Sequence, residues 1–277
     1  MKTNLPLEKE FATETQRHRE RSFYSLRLCA SVAFFLLLWL IPPAFSQTIL
    51  TAPGLASFQH KVASGGGGGA FTYTIITNAI AFGSGTAVVG PIDTTGGNLI
   101  ALNGDWFSST HSFADNKGNT YTPGNNYGGS GGNYSNQWVY CLSPTVGSGH
   151  YFTNTANFTV LNVVVLKKSS GTPAFDAQNG LNLVSGNTTT MQVGSVTPGG
   201  DNEAALAAFC CNDGGGGAAT NATIDSGFTI LGQTKEGGNA LYGGTAKLIQ
   251  TTGTASNPTW TFAHTINSGS ASVIWFK

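Results

Sequence analysis

The chain has 277 residues, of which only 9% are charged, and so few cations cannot neutralise a phosphate backbone, which excludes nucleic acid as a partner. All 38 glycines, and none of the arginines, lie in residues 47–277, where seven lysines stand against nine acidic residues for a net charge near −2. Hydrophobic residues still make up 40% of the chain, so the composition is not that of a disordered protein either.

Residues 1–46 read as a signal peptide. Ala30–Ile41 is an apolar run too short to span a bilayer; Arg21 and Arg27 precede it, and Pro42-Pro43-Ala44-Phe45-Ser46 follows with small residues at the positions a signal peptidase reads. Cleavage is expected before Gln47, which makes the protein secreted or displayed at the cell surface. A membrane enters only if the leader stays uncleaved as an anchor. Residues 1–20 mix four glutamates with Lys2, Lys9, Arg17 and Arg19, which points to a genuine start downstream of Met1. Cys29 precedes the apolar run and reads as leader sequence.

Residues 47–69 read as an N-terminal strand or arm, Leu55–Ala63, followed by a glycine-rich linker, Gly65–Gly69. Residues 70–277 then read as one all-β domain. Strands are expected at Phe71–Ile76, Thr86–Ile92, Asn98–Asn103, Tyr134–Leu142, Phe158–Leu166, Glu203–Cys211, Gly227–Leu231, Ala240–Gln250, Thr259–Ala263 and Ala271–Phe276, with Asn-Gly and Pro-Gly turns between them. No stretch repeats apolar residues with a helical period. About ten short antiparallel strands imply a β-sandwich of jelly-roll type. In the last strand Val273 and Trp275 alternate with Ile274 and Phe276, so both faces are apolar and both are expected to be covered. Gly243-Gly244 predicts a kink, and Gly128–Gly132 and Gly214–Gly217 predict loop tips.

From about Gly97 onward the order of features resembles a family of secreted bacterial β-sandwich domains of unassigned function. The residues that carry the likeness are Asn98–Leu102, Asp115-Asn116-Lys117-Gly118-Asn119-Thr120-Tyr121 (D-x-x-G-N-T-Y), Thr159–Leu166, Ala174-Phe175-Asp176, Asp201-Asn202-Glu203, Ser226–Thr229 and Trp275-Phe276-Lys277. The resemblance implies a jelly-roll-like sandwich and brings no catalytic residues. The large glycine insertions depart from the pattern.

Candidate sites are few. Asp201 and Glu203, two apart and on one face of a strand, are the best pair of carboxylates for glycoside chemistry, against a solvated strand entry as the plain reading. Asp115, Asn116 and Asn119 have the oxygen ligands of a cation loop, against a hairpin turn held by local hydrogen bonds. Tyr134, Trp138 and Tyr140 share one strand face; with Trp106, Tyr127 and Trp260 they form either a sugar-stacking platform or core. Cys141 is placed to pair with Cys210 or Cys211, which point to opposite faces, or all three are plain thiols. His60, His111, His150 and His264 are scattered, no C-x-x-C or G-x-S-x-G occurs, and no motif calls for a cofactor. The expected function is a non-enzymatic surface, adhesion or structural module whose partner is a glycan or an extracellular protein. A carbohydrate-binding domain with an aromatic platform is the alternative, and a glycoside hydrolase or lyase the third.

Overall fold

A computed structural model describes residues 71–107, 110–128, 133–183, 186–212, 221–235, 241–266 and 268–277, all within the compact unit Gly66–Lys277. The signal peptide, the arm and linker at 47–69, Cys29, His60, Gly214–Gly217 and most of the Gly128–Gly132 tip lie outside the described residues.

The described chain is all-β and holds sixteen strands: β1 (Tyr73–Gly83), β2 (Thr86–Ile92), β3 (Leu99–Trp106), β4 (Ser112–Asp115), β5 (Thr122–Tyr127), β6 (Ser135–Leu142), β7 (His150–Thr155) and β8 (Thr159–Lys168) form its first half. The second half comprises β9 (Phe175–Leu183), β10 (Thr188–Gln192), β11 (Ala204–Asn212), β12 (Thr223–Ile224), β13 (Thr229–Lys235), β14 (Leu241–Ile249), β15 (Thr259–Ile266) and β16 (Gly269–Phe276). The ten expected strands are all present. The six additional ones are β4, β5, β7, β9, β10 and β12, rich in Thr, Asn, Gly and Pro, with few apolar residues to announce them.

Four antiparallel sheets result, in the orders β1-β8-β3-β6-β5, β2-β7-β4, β13-β14-β11-β16-β9 and β10-β15-β12. The second half repeats the first strand for strand. β1 pairs with β8, β2 with β7 and β3 with β6; likewise β9 pairs with β16, β10 with β15 and β11 with β14. Each half is thus a five-stranded sheet backed by a three-stranded one.

The two five-stranded sheets pack face to face, with β3 opposite β11, β1 opposite β13 and β5 opposite β9. Between them Leu99, Ala101, Trp138, Val164 and Leu166 meet Ala204, Leu206, Ala208, Ile274 and Phe276. The first three-stranded sheet covers the outside of one half through Ala87, Val89 and Phe152, and the second covers the other through Met191, Trp260, Phe262 and Ile266. The stack therefore has four layers, which explains strands that are apolar on both faces. Every residue of β3, β11 short of Asn212, and β16 is buried. In β16 Val273 and Trp275 face one core while Ile274 and Phe276 face another, as the sequence led one to expect.

The central layer is apolar at one end and polar at the other. Asn162 donates to Asn103 Oδ1 and accepts from Thr245, while Asn136 donates to Ser270 and accepts from Ser272 across the two sheets. β14 does not kink at Gly243-Gly244. Its pairing with β11 is unbroken from Leu241 to Ile249, and the irregularity falls on β13 between Ile230 and Gly232. The two glycines instead make room for side chains, because a Cβ at Gly244 would come 2.7 Å from the Phe209 ring.

Candidate functional site

The D-x-x-G-N-T-Y segment closes on itself. Asp115 Oδ1 accepts the backbone N–H groups of Lys117 (2.9 Å) and Asn119 (3.1 Å), and Oδ2 accepts from Asn119 Nδ2 (2.7 Å) and the Tyr121 hydroxyl (2.5 Å). Asn119 also clamps Thr145, donating to its carbonyl and accepting from its N–H. Asn116 donates to the Gly149 carbonyl and accepts from Tyr151 N–H. Gly118, at φ 72°, supplies the left-handed turn. The oxygens that could have served a cation loop thus hold protein donors, as local turn chemistry requires, and no group of three or more His, Cys, Asp or Glu among the described residues could hold a metal. Nor is the turn a hairpin, because β4 pairs with β7 and β5 with β6, so it carries the chain from one sheet to the other.

His150 completes this clasp. Its Nε2 lies 3.2 Å from Asp115 Oδ2 and its Nδ1 3.0 Å from Thr94 Oγ1. The Thr94 hydroxyl accepts the Gly147 N–H and has both Nδ1 and the Gly147 carbonyl within reach, while Nε2 faces the carboxylate outside hydrogen-bond geometry. Burial pushes the imidazole pKa down against the opposing pull of Asp115, so the ring is neutral. Burial alone would raise the Asp115 carboxyl; donors from Tyr121, Asn119 and the backbone outweigh it and hold the group below its usual range. The Asp-His-Thr alignment is that of a nucleophile with its base, but Thr94 and both partner side chains are wholly buried. Its work is to fasten the β4–β5 turn to β7.

The aromatic platform is not at the surface. Asn136, Trp138 and Tyr140 do share one face of β6, and that face is turned into the central layer. Trp138 is 2% exposed, and Tyr140 stacks on Phe175 (5.6 Å) with its edge to Phe276. Tyr134 precedes the strand at φ 51° and packs against Phe107. Trp106 is buried under His111, with ring centroids 3.7 Å apart, and Trp260 is buried beneath the second outer sheet. Burial of large apolar area won over display. A cleft of about 390 Å³ does open between His111, Phe113, Thr120, Tyr121, Pro123 and Gln137. Its main polar side chains are engaged: His111 Nε2 is 2.7 Å from Gln137 Oε1, and Gln137 Nε2 donates to the Gly124 carbonyl. Burial lowers the His111 pKa, and because Gln137 Oε1 can only accept, the Nε2 proton is assigned to this bond.

Asp201 and Glu203 do not act together. Asn202 sits at φ 62°, outside the strand that begins at Ala204, so the alternation that would align its neighbours is broken. Asp201 is exposed and accepts from Gly253 N–H, whereas Glu203 is fully buried. The carboxyl group beside Glu203 is that of Asp176, on β9. Asp176 Oδ1 lies 2.6 Å from Lys277 Nζ and its Oδ2 accepts Gly199 N–H at 2.7 Å. Neither Glu203 oxygen meets a donor in hydrogen-bonding geometry. Desolvation, then the neighbouring Asp176 charge, push the Glu203 pKa up to about 7. Asp176 and Lys277 were visible in the sequence only as residues of the family likeness. No local spacing announces their chemistry, because it arises where β16 meets β9.

Of the two alternatives for the cysteines the structure has the plain thiols: Cys141, Cys210 and Cys211 lie in three different places and form no disulfide. Cys210 joins Val160 and Leu241 between the five-stranded sheets, while Cys211 faces the second outer sheet. Cys141 pairs across from Ile100 on the other half of the stack. A second buried acid, Asp105, escaped the sequence reading. It is fully buried in the central layer with no partner for either oxygen, and burial drives its pKa well above the usual range.

Comparison of the chain with protein-family models, with curated proteins and with solved structures finds no match in any of the three.

Proposed function

We propose that this protein is an exported, non-enzymatic module that acts at the cell surface or outside the cell by contact, built from two jelly rolls in one chain. The nested pairing of first strand with eighth, second with seventh and third with sixth in each half supports the jelly-roll reading. Export rests on the leader sequence.

The observation that carries the contact reading is the pair of outward faces on the three-stranded sheets. On one, Thr86, Thr155 and Ser112 stand in register across three strands, and on the other Thr190, Thr261 and Thr223 do the same. All six point to solvent. None of the exposed residues of β2, β7, β10 and β15 is charged. Flat, hydroxyl-bearing, uncharged sheet faces suit recognition by hydrogen bonds and shape, with no demand on a reacting group. The acids and rings that chemistry would need are occupied inside the fold.

Adhesion of beads coated with the purified protein to extracellular matrix proteins and to cells tests this reading. Thr155→Arg with Thr261→Arg leaves the fold intact and abolishes adhesion; adhesion unchanged in that double variant refutes the assignment of these faces. A glycan ligand is the second reading, favoured by the cleft at His111 and Gln137. A glycan array separates the two, with binding lost in Gln137→Ala if the cleft is the site.

A further inference from the structure

The trio Lys277, Asp176 and Glu203 holds two carboxyl groups against one ammonium. A surface ion pair needs one acid, and the second is an expense to the fold, since a buried carboxyl without donors destabilises it. Glu203 is nonetheless packed against the Asp176 carboxyl with no exposure, and the pull of the Gly200 N–H does not offset that burial. Asp176 itself is 5% exposed at its side chain, and the lysine reaches it from a half-exposed position.

The backbone on either side is fixed. Lys277 and Ala174 exchange both backbone hydrogen bonds (2.9 and 2.8 Å), and the Tyr73 hydroxyl donates to the Lys277 carbonyl. From that fixed backbone the half-exposed lysine side chain brings Nζ to 2.6 Å from Oδ1. On the other oxygen, Gly199 N–H is already aimed at 2.7 Å, and Gly199 is needed there because a Cβ would come 2.7 Å from Asp176 Oδ1. An amine, a carboxyl carbon, a backbone donor for a developing oxyanion and a proton-carrying acid are thus gathered in one place.

We propose that Lys277 and Asp176 condense into an intramolecular amide, with Glu203 carrying the proton. The Asp176 carboxylate holds the Lys277 pKa up, and although burial alone would raise Asp176, Lys277 and the Gly199 N–H outweigh it and hold the carboxyl down. The reaction therefore starts from a minor state, in which the ammonium has given a proton to the carboxylate and leaves a neutral amine beside a carboxylic acid. The Nζ lone pair then attacks Cγ, the Nζ–Cγ bond forms, and the carbonyl electrons move onto Oδ2, where Gly199 N–H stabilises them. Glu203 accepts a second proton from Nζ and delivers it to the departing Oδ1. The Cγ–Oδ1 bond breaks, one water leaves, and Glu203 returns to its starting state. The sum is an ammonium and a carboxylate giving an amide and water, with no oxidant or co-reactant.

Two features favour that outcome here over plain ion pairing. Fixed neighbours react as if present at effective concentrations of up to about 10⁵ M or more, which offsets the dilution of amide formation against bulk water. The raised affinity of Glu203 for its proton, already described, lets it act as both acid and base near neutral pH. The half-exposed lysine side leaves the water an exit.

Peptide mapping of the full purified chain by mass spectrometry tests it. After digestion, the peptide holding Asp176 is expected joined to the one ending at Lys277, lighter by one water than their sum. Asp176→Ala and Lys277→Ala lack the link. Glu203→Gln forms it more slowly by a factor of about a hundred or more, followed as cross-linked fraction against time after refolding. Separate, full-mass peptides from wild-type protein incubated folded at neutral pH overturn the proposal. So does a loss of water traced to succinimide formation at an Asp-Gly site such as Asp213-Gly214, with no joined peptide. Equal rates in wild type and Glu203→Gln overturn the role of Glu203.

Discussion

Gly243 and Asp105 face each other across the central layer so closely that a Cβ at Gly243 would stand 2.1 Å from Asp105 Oδ2. The carboxyl occupies the space that the missing side chain leaves. Gly243→Ala is therefore expected to destabilise the fold by about 3 kcal/mol, since overpacking in a filled core costs that order of energy. Urea unfolding of the two proteins side by side measures it, and a loss of under half that value would mean the layer yields.

Asp105 also sets a pH dependence. Its folded pKa is raised well above the ordinary 3.8 by burial, so the folded state keeps a proton that the unfolded chain releases. The stability it contributes is complete below pH 3.8 and is lost as pH rises toward the folded pKa, with a slope of at most about 1.4 kcal/mol per pH unit. Asp105→Asn keeps the shape and removes the titration. The variant is expected to be more stable than wild type at pH 8, and its stability between pH 5 and 8 should fall less steeply. A wild-type curve that matches the variant's across that range contradicts this.

The Asp115 clasp behaves in the opposite sense. Its folded pKa is depressed, so its contribution is present above the unfolded pKa and disappears as pH falls through the folded one. Removing one donor with Tyr121→Phe should cost about 2 kcal/mol near neutral pH, the typical worth of a hydrogen bond to a charged group. That difference should shrink as pH falls below the ordinary carboxylate value of 3.8 and through the folded pKa, as read from denaturant midpoints at each pH.

Trp138→Ala should reveal a core residue. Truncating a buried tryptophan costs about 3 to 5 kcal/mol. Circular dichroism and thermal melts should show a destabilised or unfolded protein, and a folded variant with unchanged melting would place the ring outside the core.

All three thiols should be alkylated in denaturant without reductant, each found by peptide mass at Cys141, Cys210 and Cys211. In the native protein Cys210 should resist, because it is buried and burial raises its pKa well above the usual thiol value. A disulfide-linked peptide under non-reducing conditions would contradict this.

The sequence shows the inner strands plainly and the outer ones poorly, for one physical reason. β3, β8, β11 and β16 are covered on both faces, so each carries a stretch apolar on consecutive residues, such as Leu99–Leu102, Val163–Leu166, Ala204–Cys211 and Val273–Phe276. β10 buries one residue, Met191, and β5 is Thr-Pro-Gly-Asn-Asn-Tyr with an irregular register, so neither rises above the turns around it. The Asp115 segment is legible as turn chemistry because its bonds are local. Asp176, Glu203 and Lys277 are not, because three distant segments must pair before they meet. The rings of β6 alternate as the sequence predicts, but alternation cannot tell which layer covers the face.

Each strand of one half has a counterpart in the other, and opposed strands exchange positions: β1 lies over β13 as β5 lies over β9, β8 over β14 as β6 over β16, with β3 over β11 at the centre. That is the relation between the two partners of an isologous dimer, in which the same patch serves as both surfaces. Here the partners are covalently one, so their encounter needs no second molecule and does not depend on concentration. Within one chain, unlike a symmetric pair, matched positions can carry different residues: Asn98 precedes β3 where Glu203 precedes β11.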